Sequence, residues 1–470
     1  MKTDFTKLHR AFNPECVVVV GDKDRFAWIK GQSKFKGKLY SVQVNPDTIK
    51  MIEALGVKNY TSLLDIPDPI DLVIVAVPRT IAPKILDECI QKDVAAAHFF
   101  TAGFTESDTE EGKKLERTII EKAKQANFCL IGPNCMGIFN PKLGIKQQEE
   151  QYDGVSGPVG FISQSGNIAI IFALESQTQG ILVNKTVSFG NGVILDSPDY
   201  LEYFGQDKDI QVIGMYIEGL KDGKRFLSVL KEVCARKPVV IWKGGRTEGG
   251  GERAIASHTG SMAISQTIWS VAIKQCGAIG VANMQELIDT VKALTYLTPV
   301  RGNKMGIAGG SGGQSVSIAD AFAEADLELP SFTQKSYDEL ASFWRPIGGG
   351  YPNPIDTGNE NRKEMKRILE IIEQDANVDN IAVVMTVRMG LRTPEELEDN
   401  IRLMIELREN TLKPLIVIIP TSTLEELERL ADVTKKLQDG NIPTFPTFER
   451  GARALRNALD YYNFRRSIEA

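Results

Sequence analysis

The chain alternates short apolar runs with segments of helical periodicity along almost its whole length, and this alternation restricts the folds open to it. Runs such as Cys16–Val20, Leu72–Val77 and Val159–Ile162 are rich in β-branched residues, and amphipathic stretches such as Ala82–Lys92 lie between them. Strands that alternate with helices are typical of βαβ units, in which the strands are parallel and helices cover the sheet. The sequence therefore predicts an α/β protein built from doubly wound parallel sheets.

The apolar runs fall into three blocks, which predict three domains within 470 residues. The first domain covers 1–145 and is a Rossmann-like open sheet. The second covers 150–300, and the third covers 301–470 after a linker at Pro299–Asn303. The second and third blocks each begin with a strand, a turn of small residues and a helix, so we interpret them as a weak internal repeat of one doubly wound fold.

Composition narrows the possible functions. The net charge of −6, the isoelectric point near 5.5 and the lack of a Lys/Arg stripe argue against a nucleic-acid surface. No stretch approaches the roughly 18 apolar residues of a membrane span, and the polar segment Met1–Arg10 is unlike a secretory signal. We expect a cytoplasmic protein. Its six scattered cysteines and three histidines predict reduced thiols and no metal site.

A glycine-rich segment, KGGRTEGGGERAIASHTGSMA at Lys243–Ala263, follows a predicted strand and contains His258. Glycines let the backbone move and approach a ligand closely. From this segment alone two interpretations stay open. His258 is either a loop histidine bonded to backbone or a histidine that takes part in chemistry.

Glu218 favours the chemical interpretation. It directly follows the predicted strand Val212–Ile217, at the edge where open α/β sheets place functional groups. A carboxylate bonded to one imidazole nitrogen leaves the other nitrogen free to attack. Taken alone, Glu218 could equally be a solvated acid at the end of a strand.

Two turns of small residues add a second argument. Each lies between a predicted strand and a predicted helix, and a helix N-terminus offers free N–H groups to an anion. Either turn alone could simply allow tight packing, but the combination with a histidine and a carboxylate predicts phosphate binding. The predicted phosphate-binding residues are Ser163, Gln164, Ser165 and Gly166 in the first turn, and Gly309, Gly310, Ser311, Gly312 and Gly313 in the second.

Seven short segments of the chain together carry a resemblance to a known family. They are Gly132–Pro141, Ser163–Gly166, Ser188–Asn191, Tyr216–Gly219, Gly245–Glu248, Ser257–Ser261 and Asn353–Asp356. With them the chain resembles, over nearly its whole length, the alpha subunits of the nucleotide-diphosphate-forming acyl-CoA synthetases. This family includes ADP-forming acetyl-CoA synthetases, and succinyl-CoA synthetase is a more distant relative.

The resemblance implies a function and a set of site residues. His258 would be a transient phosphohistidine, Glu218 its partner carboxylate, and the second and third domains flavodoxin-like domains of the succinyl-CoA synthetase type. The first domain would bind CoA, and Cys135 there is more simply a small residue at a tight turn than a nucleophile. The CoA-binding candidates are Gly21, Lys23, Asn45, Pro46, Val75, Pro78, Asn134 and Cys135.

One departure from the family concerns the first turn, where small residues are usual. Here Gly21 is followed by charged and bulky residues, among them Asp22, Lys23 and Arg25. A carboxylate at Asp22 would oppose a pyrophosphate unless it pointed away, whereas Lys23 and Arg25 could offset it.

The resemblance also implies a partner and a reaction. No part of the sequence resembles an ATP-grasp fold, so ADP or ATP with Mg²⁺ would bind a separate ATP-grasp beta subunit, in a heterotetramer. The reaction would convert acyl-CoA, phosphate and ADP into a small carboxylic acid, CoA and ATP. The alternatives are a non-catalytic CoA-binding or regulatory homologue and an NAD-dependent dehydrogenase, the latter disfavoured because GxGxxG is missing after the first strand.

Overall fold

The apolar runs of the first block form a six-stranded parallel sheet. The computed structural model describes residues 3–23, 25–247, 249–250, 265–310, 312–345, 352–357, 362–388 and 393–469. The strand order is β3-β2-β1-β4-β5-β6, which is the Rossmann order, with a ligand crevice beyond the carboxyl ends of β1 and β4. The strands are β1 (Cys16–Val20), β2 (Lys38–Val42), β3 (Lys58–Tyr60), β4 (Leu72–Val75), β5 (Ala96–Phe99) and β6 (Cys129–Ile131).

Helices cover both faces of this sheet, because its central strands are apolar throughout. All residues of β1 and β4 are buried. The side chains on one face of these strands, among them Val18, Val20 and Val73, pack with apolar side chains of the helices into one core. The helices are α1 (Phe5–Phe12), α2 (Ala27–Gly31), α3 (Pro46–Ala54), α4 (Ala82–Gln91) and α5 (Glu110–Gln125).

The second sheet has the order β12-β11-β10-β8-β9-β7. Its five parallel strands, β8 to β12, follow the flavodoxin order 2-1-3-4-5, and β7 pairs antiparallel with β9 at the edge. The predicted α/β class and doubly wound topology are thus confirmed. The elements are β7 (Gly137–Phe139), β8 (Val159–Ser163), α6 (Gly166–Thr178), β9 (Val183–Ser188), α7 (Ser197–Gln206), β10 (Val212–Ile217), α8 (Gly223–Cys234), β11 (Val239–Lys243), α9 (Gln266–Gln275), β12 (Ile279–Val281) and α10 (Met284–Tyr296).

The third sheet is parallel and runs in chain order, β13-β14-β15-β16. On the other edge of β13, isolated parallel bridges join Lys304 to Glu328 and Ala308 to Ile355. The Asn353 side chain also forms hydrogen bonds with this edge: it accepts from Ile307 N at 3.1 Å and donates to Met305 O at 2.7 Å. The elements are β13 (Met305–Ala308), α11 (Gly312–Glu324), α12 (Gln334–Phe343), α13 (Arg362–Gln374), β14 (Asn380–Val384), α14 (Pro394–Asn410), β15 (Leu415–Ile418), α15 (Leu424–Asp439), β16 (Thr444–Phe445) and α16 (Phe448–Glu469).

The chain divides into two compact units. The first comprises Met1–Gln177 with Ile181–Ala282 and contains the first two sheets, and the second comprises Thr178–Gly180 with Asn283–Ala470 and contains the third. Helix α10, which the sequence places in the 150–300 domain, lies in the second unit and packs along α16. The domain limits 1–145, 150–300 and 301–470 themselves stay a prediction.

A buried ion pair joins α10 to α16, and breaking it should destabilise the second unit. Asp289 is 2% exposed and accepts from Arg450 Nε at 2.6 Å and Nη2 at 2.9 Å. Replacing Asp289 with asparagine leaves Arg450 and the buried Lys292 without their carboxylate, so we expect the free energy of unfolding to fall by about 3 kcal/mol. Denaturant unfolding measures this. The control is Asp439→Asn, because the exposed Lys435–Asp439 pair should contribute little.

Candidate functional site

The turn after β8 is fixed by hydrogen bonds from its own side chains. Ser163 Oγ donates to Ser165 O at 2.6 Å. The buried Gln164 amide oxygen accepts from Glu218 N at 2.8 Å and from Gly219 N at 3.1 Å. The structure therefore joins the predicted phosphate-binding turn to the main chain of Glu218, the predicted partner residue, at the carboxyl ends of β8 and β10.

Gly166 opens helix α6 in a place that has no room for a side chain. A Cβ there would lie 2.6 Å from Met136 Cγ, so the turn preceding β7 contacts the first turn of the helix directly. The backbone N–H groups in the first turn of a helix are potential donors to an anion.

Glu218 lies in a small cluster formed by the ends of β10 and β11. Burial raises the pKa of Tyr216, and the neighbouring Glu218 carboxylate raises it further, so its hydroxyl stays protonated and hydrogen-bonds to Glu218. Lys243 Nζ donates to Glu218 O at 2.7 Å. Burial lowers the pKa of Lys243, while Glu218 opposes that shift. A Cβ at Gly244 would lie 2.5 Å from Tyr216 Oη and 3.2 Å from Glu218 Cγ, so glycine is needed beside this carboxylate.

His258 lies outside the described residues, so its role stays a prediction. The segment that carries it leaves the sheet at Lys243, the last residue of β11, and therefore begins beside Glu218. In the described residues that follow Lys243, Gly245 has a φ of +67°, and Thr247 Oγ1 accepts from Gly250 N at 3.2 Å.

The second predicted phosphate-binding turn lies in the other unit, between β13 and α11. Gly309 has a φ of +102°, and a Cβ there would come within 2.4 Å of Val384 O. Gly310 also has a positive φ, of +86°, and Gly312 and Gly313 open the helix. Ser311 lies outside the described residues. The joint action of the two turns on one phosphoryl group stays a prediction.

The turn after β1, which is unusual for the family, buries the carboxylate of Asp22. Gly21 has a φ of +81° and would clash with Val77 Cγ1 if it carried a Cβ, at 2.5 Å. Asp22 is buried and accepts from Ile29 N at 2.9 Å. Burial raises the pKa of Asp22, and hydrogen bonds from backbone N–H groups, that of Ile29 foremost, oppose this. The carboxylate therefore caps α2 within its own loop, and Lys23 is exposed beside it.

Four further CoA-binding candidates flank this turn. Asn45 is the N-cap of α3, since its Oδ1 accepts from Asp47 N at 3.0 Å, and Pro46 is the first helical residue. Val75 is the buried last residue of β4, and Pro78 is exposed beyond it. These residues lie at the carboxyl ends of the two strands that border β1, which is where Rossmann-like sheets bind their ligands. Exposed Val44 and Phe100 add apolar surface suited to the organic part of CoA.

The turn after β6 contains the last two CoA-binding candidates. It begins with a cis Gly132–Pro133 bond, and Asn134 has a φ of +59°. Cys135 is buried, and burial raises the pKa of its thiol to about 12. A thiol that stays protonated near neutral pH is a poor nucleophile, which favours the interpretation of Cys135 as a turn residue.

The segment Ser188–Asn191 carries part of the family resemblance, but sequence reasoning gave it no role. In the structure it joins two predicted sites. Gly190 N donates to Gln164 O at 3.1 Å, and Asn191 N donates to Pro133 O at 3.0 Å. The turn near the predicted CoA site and the phosphate-binding turn are therefore connected through this loop. The contact of Lys243 with Glu218 was not predicted either, because an isolated lysine at the end of a strand has no distinctive sequence pattern.

Within the described residues, no group of three or more His, Cys, Asp or Glu side chains could hold a metal ion. In the same part of the chain, no helix is both long and apolar enough to cross a membrane.

Two domain families match the chain. Residues 17–141 match the CoA binding domain, and residues 156–294 match the succinyl-CoA ligase like flavodoxin domain. Among solved structures, the dinucleotide-forming acetyl-coenzyme A synthetase 1 of Ca. Korarchaeum cryptofilum, in complex with phosphate and ADP, superposes with a TM-score of 0.85 at 28% identity, covering 98% of this chain and 99% of that one.

Two curated relatives define the family more closely. Subunit alpha of the ADP-forming acetate–CoA ligase II of Pyrococcus furiosus is 33% identical over 94% of this chain and 95% of its own length. The ADP-forming acetate–CoA ligase I of Archaeoglobus fulgidus is 35% identical over 81% of this chain, which spans only 55% of that protein. The chain therefore belongs to the family of ADP-forming acetate–CoA ligases, within which it matches the separate alpha subunit along nearly its whole length.

Proposed function

We propose that this chain is the CoA-binding, phosphohistidine-bearing subunit of an ADP-forming acyl-CoA synthetase. The observation that carries the proposal is the Gln164 bridge, which holds Glu218 next to a helix N-terminus at the carboxyl edge of the second sheet. A carboxylate, an anion-binding turn and a nearby histidine-bearing segment suit a phosphorylated imidazole, because the turn binds the phosphoryl oxygens and the carboxylate orients the ring.

The proposed reaction proceeds in three reversible steps. A phosphate oxygen attacks the thioester carbon of acyl-CoA, the C–S bond breaks, and the thiolate takes up a proton to leave as CoA. A nitrogen of His258 then attacks phosphorus in the acyl phosphate, the P–O bond to the acyl group breaks, and a carboxylate leaves. Finally, a β-phosphate oxygen of ADP attacks phospho-His258, which gives ATP and free histidine. A covalent intermediate divides one difficult transfer into easier ones.

The nucleotide steps require a partner. The P. furiosus relative is named a subunit alpha, and the A. fulgidus relative of the same family is nearly twice as long as the matched region. Both facts support a separate beta subunit for this chain, which we propose to be an ATP-grasp protein that binds ADP or ATP with Mg²⁺ in a heterotetramer. A cytoplasmic location fits the six cysteines, which are all buried and unpaired, as expected in a reducing compartment.

Phosphorylation of the chain tests this function. The purified chain is incubated with its beta subunit, Mg²⁺ and γ-labelled ATP, and the labelled peptide is located by mass spectrometry under neutral conditions. We expect acid-labile label on His258, discharged by a carboxylic acid together with CoA. Stable binding of CoA without any labelling would instead indicate the non-catalytic homologue.

A further inference from the structure

A buried asparagine links the first two sheets within the first unit. Asn191 is 4% exposed, and its Nδ2 donates to Glu106 Oε2 at 2.7 Å and to Glu116 Oε2 at 3.2 Å. Glu106 and Glu116 belong to the first block, between β5 and the end of α5, whereas Asn191 follows β9 of the second sheet. One side-chain amide thus connects the CoA-binding domain to the phosphate-binding domain.

Both carboxylates are held in place by their second oxygens. Glu106 Oε1 accepts from Gly103 N at 2.8 Å and from Phe104 N at 3.2 Å. Glu116 Oε1 accepts from Thr105 Oγ1 at 2.5 Å. Since neither acid is free to turn, the position of the Asn191 amide is set by the loop that follows β5. Hydrogen bonds to charged groups are the stronger kind.

The backbone around Asn191 is held from the opposite side. Lys221 Nζ donates to Asn191 O at 2.6 Å and to Gly192 O at 3.0 Å. Val193 N donates to Gly132 O at 3.1 Å. Lys221 lies three residues beyond Glu218, so the Asn191 loop is in contact with the segments that follow β5, β6 and β10 at once.

We propose that Asn191 is a positioning residue for the step that interconverts acyl-CoA and acyl phosphate, an inference that rests on the proposed function. In that step the thioester of CoA, bound by the first sheet, has to meet phosphate held at the start of α6. A misplacement of about 1 Å between reacting groups costs roughly a hundredfold in rate. Asn191 fixes this distance because Glu106 and Glu116 hold its side chain while Gln164 O holds Gly190 N next to it.

The chemistry of the contact requires an amide. Its two N–H groups face two carboxylates, so an aspartate at 191 would place a third carboxylate against Glu106 and Glu116. For Asn191→Asp we expect kcat/KM for acyl-CoA with phosphate to fall about tenfold to a hundredfold. Phosphorylation of His258 by ATP and the beta subunit uses no CoA, so its rate should stay at the wild-type value. This split between the half-reactions separates positioning from a general loss of structure.

An exchange of donor and acceptor provides the second test. In the double variant Glu106→Gln/Asn191→Asp, the glutamine Oε1 can still accept from Gly103 N while its Nε2 donates to the new aspartate. We expect this double variant to recover part of the acyl-CoA activity that Asn191→Asp loses, because Glu116 still faces the new aspartate. The control is Asn410→Ala, at the exposed end of α14, which should leave both half-reactions unchanged.

The possible failures are distinguishable. If Asn191→Asp slows both half-reactions equally or neither of them, or if the double variant recovers nothing, the positioning role is wrong while the synthetase function stands. If the wild-type chain is never phosphorylated on His258, the proposed function is wrong, and the role of Asn191 in it is wrong as well.

Discussion

Replacement of Glu218 with glutamine is expected to slow phosphorylation of the chain by about a thousandfold and to leave the fold intact. The carboxylate has two functions in the proposed mechanism: it accepts a hydrogen bond from the imidazole, which selects the reactive tautomer, and it stabilises the cation that forms when a ring nitrogen is phosphorylated. Glutamine keeps the shape of the side chain but provides no negative charge. The hydrogen bonds from the backbone N–H of Glu218 to Gln164 and from Lys243 to Glu218 O involve the main chain, so the substitution leaves them in place.

Rapid-mixing kinetics with labelled ATP and the beta subunit measure this effect directly. Glu232→Gln is the matched control, because Glu232 lies exposed on α8 and pairs with Arg236 at the surface, where such pairs contribute little. Tyr216→Phe removes the hydroxyl that hydrogen-bonds to Glu218, so we expect a smaller loss, of about tenfold. Equal labelling rates in Glu218→Gln and the wild type would show that Glu218 is not the partner carboxylate.

The central strands were predictable because their side chains are apolar on both faces. Cys16–Val20 and Val212–Ile217 were predicted with the bounds that the structure gives them. A strand buried on both faces needs a continuous apolar run, and such a run is visible in a single sequence. The turns after these strands were also predictable, since Gly, Ser and Asn at a strand–helix junction have few other uses.

Four of the edge strands were not predictable, because they are too short to show a pattern. β3, β7 and β12 have three residues each and β16 has two, so neither period nor composition separates them from loops. The packing of α10 along α16 in the second unit was not predictable either, because its contacts connect residues that are far apart in sequence.

The polar contacts at the site could not be predicted either, because they join residues that are far apart in sequence. Nothing near Asn191 in the sequence shows that Glu106 and Glu116 are its partners, 85 and 75 residues away. Similarly, the sequence suggested that Asp22 would be unfavourable beside an anion. Only the fold shows that its carboxylate accepts a hydrogen bond from Ile29 N. Sequence patterns locate the strand ends that form a site, while the hydrogen bonds between those ends depend on how the sheets pack.

Gly190→Ala is expected to have the second large effect, by forcing apart the two turns that the Ser188–Asn191 loop joins. A Cβ at this position would lie 2.2 Å from Asn134 O and 2.4 Å from Pro133 O, both of them backbone atoms, and the φ of Gly190 is +51°. A left-handed conformation costs a residue with a Cβ about 1–2 kcal/mol, and overpacking adds about 1–3 kcal/mol. We therefore expect the free energy of unfolding to fall by about 2–5 kcal/mol.

Gly56→Ala separates the two causes. Gly56 has a φ of +82°, but a Cβ there would meet no atom within 4 Å. We therefore expect its free energy of unfolding to fall only by the conformational contribution, about 1–2 kcal/mol. Denaturant unfolding of both variants gives the difference that belongs to the clash. That clash pushes the turn at Pro133–Asn134 away from the phosphate-binding turn. Gly190→Ala should therefore also lose acyl-CoA activity under conditions where it remains folded. Gly56→Ala should keep that activity. If the two variants lose equal stability and equal activity, the close contact between Gly190 and the turn at Pro133–Asn134 does not hold the site together.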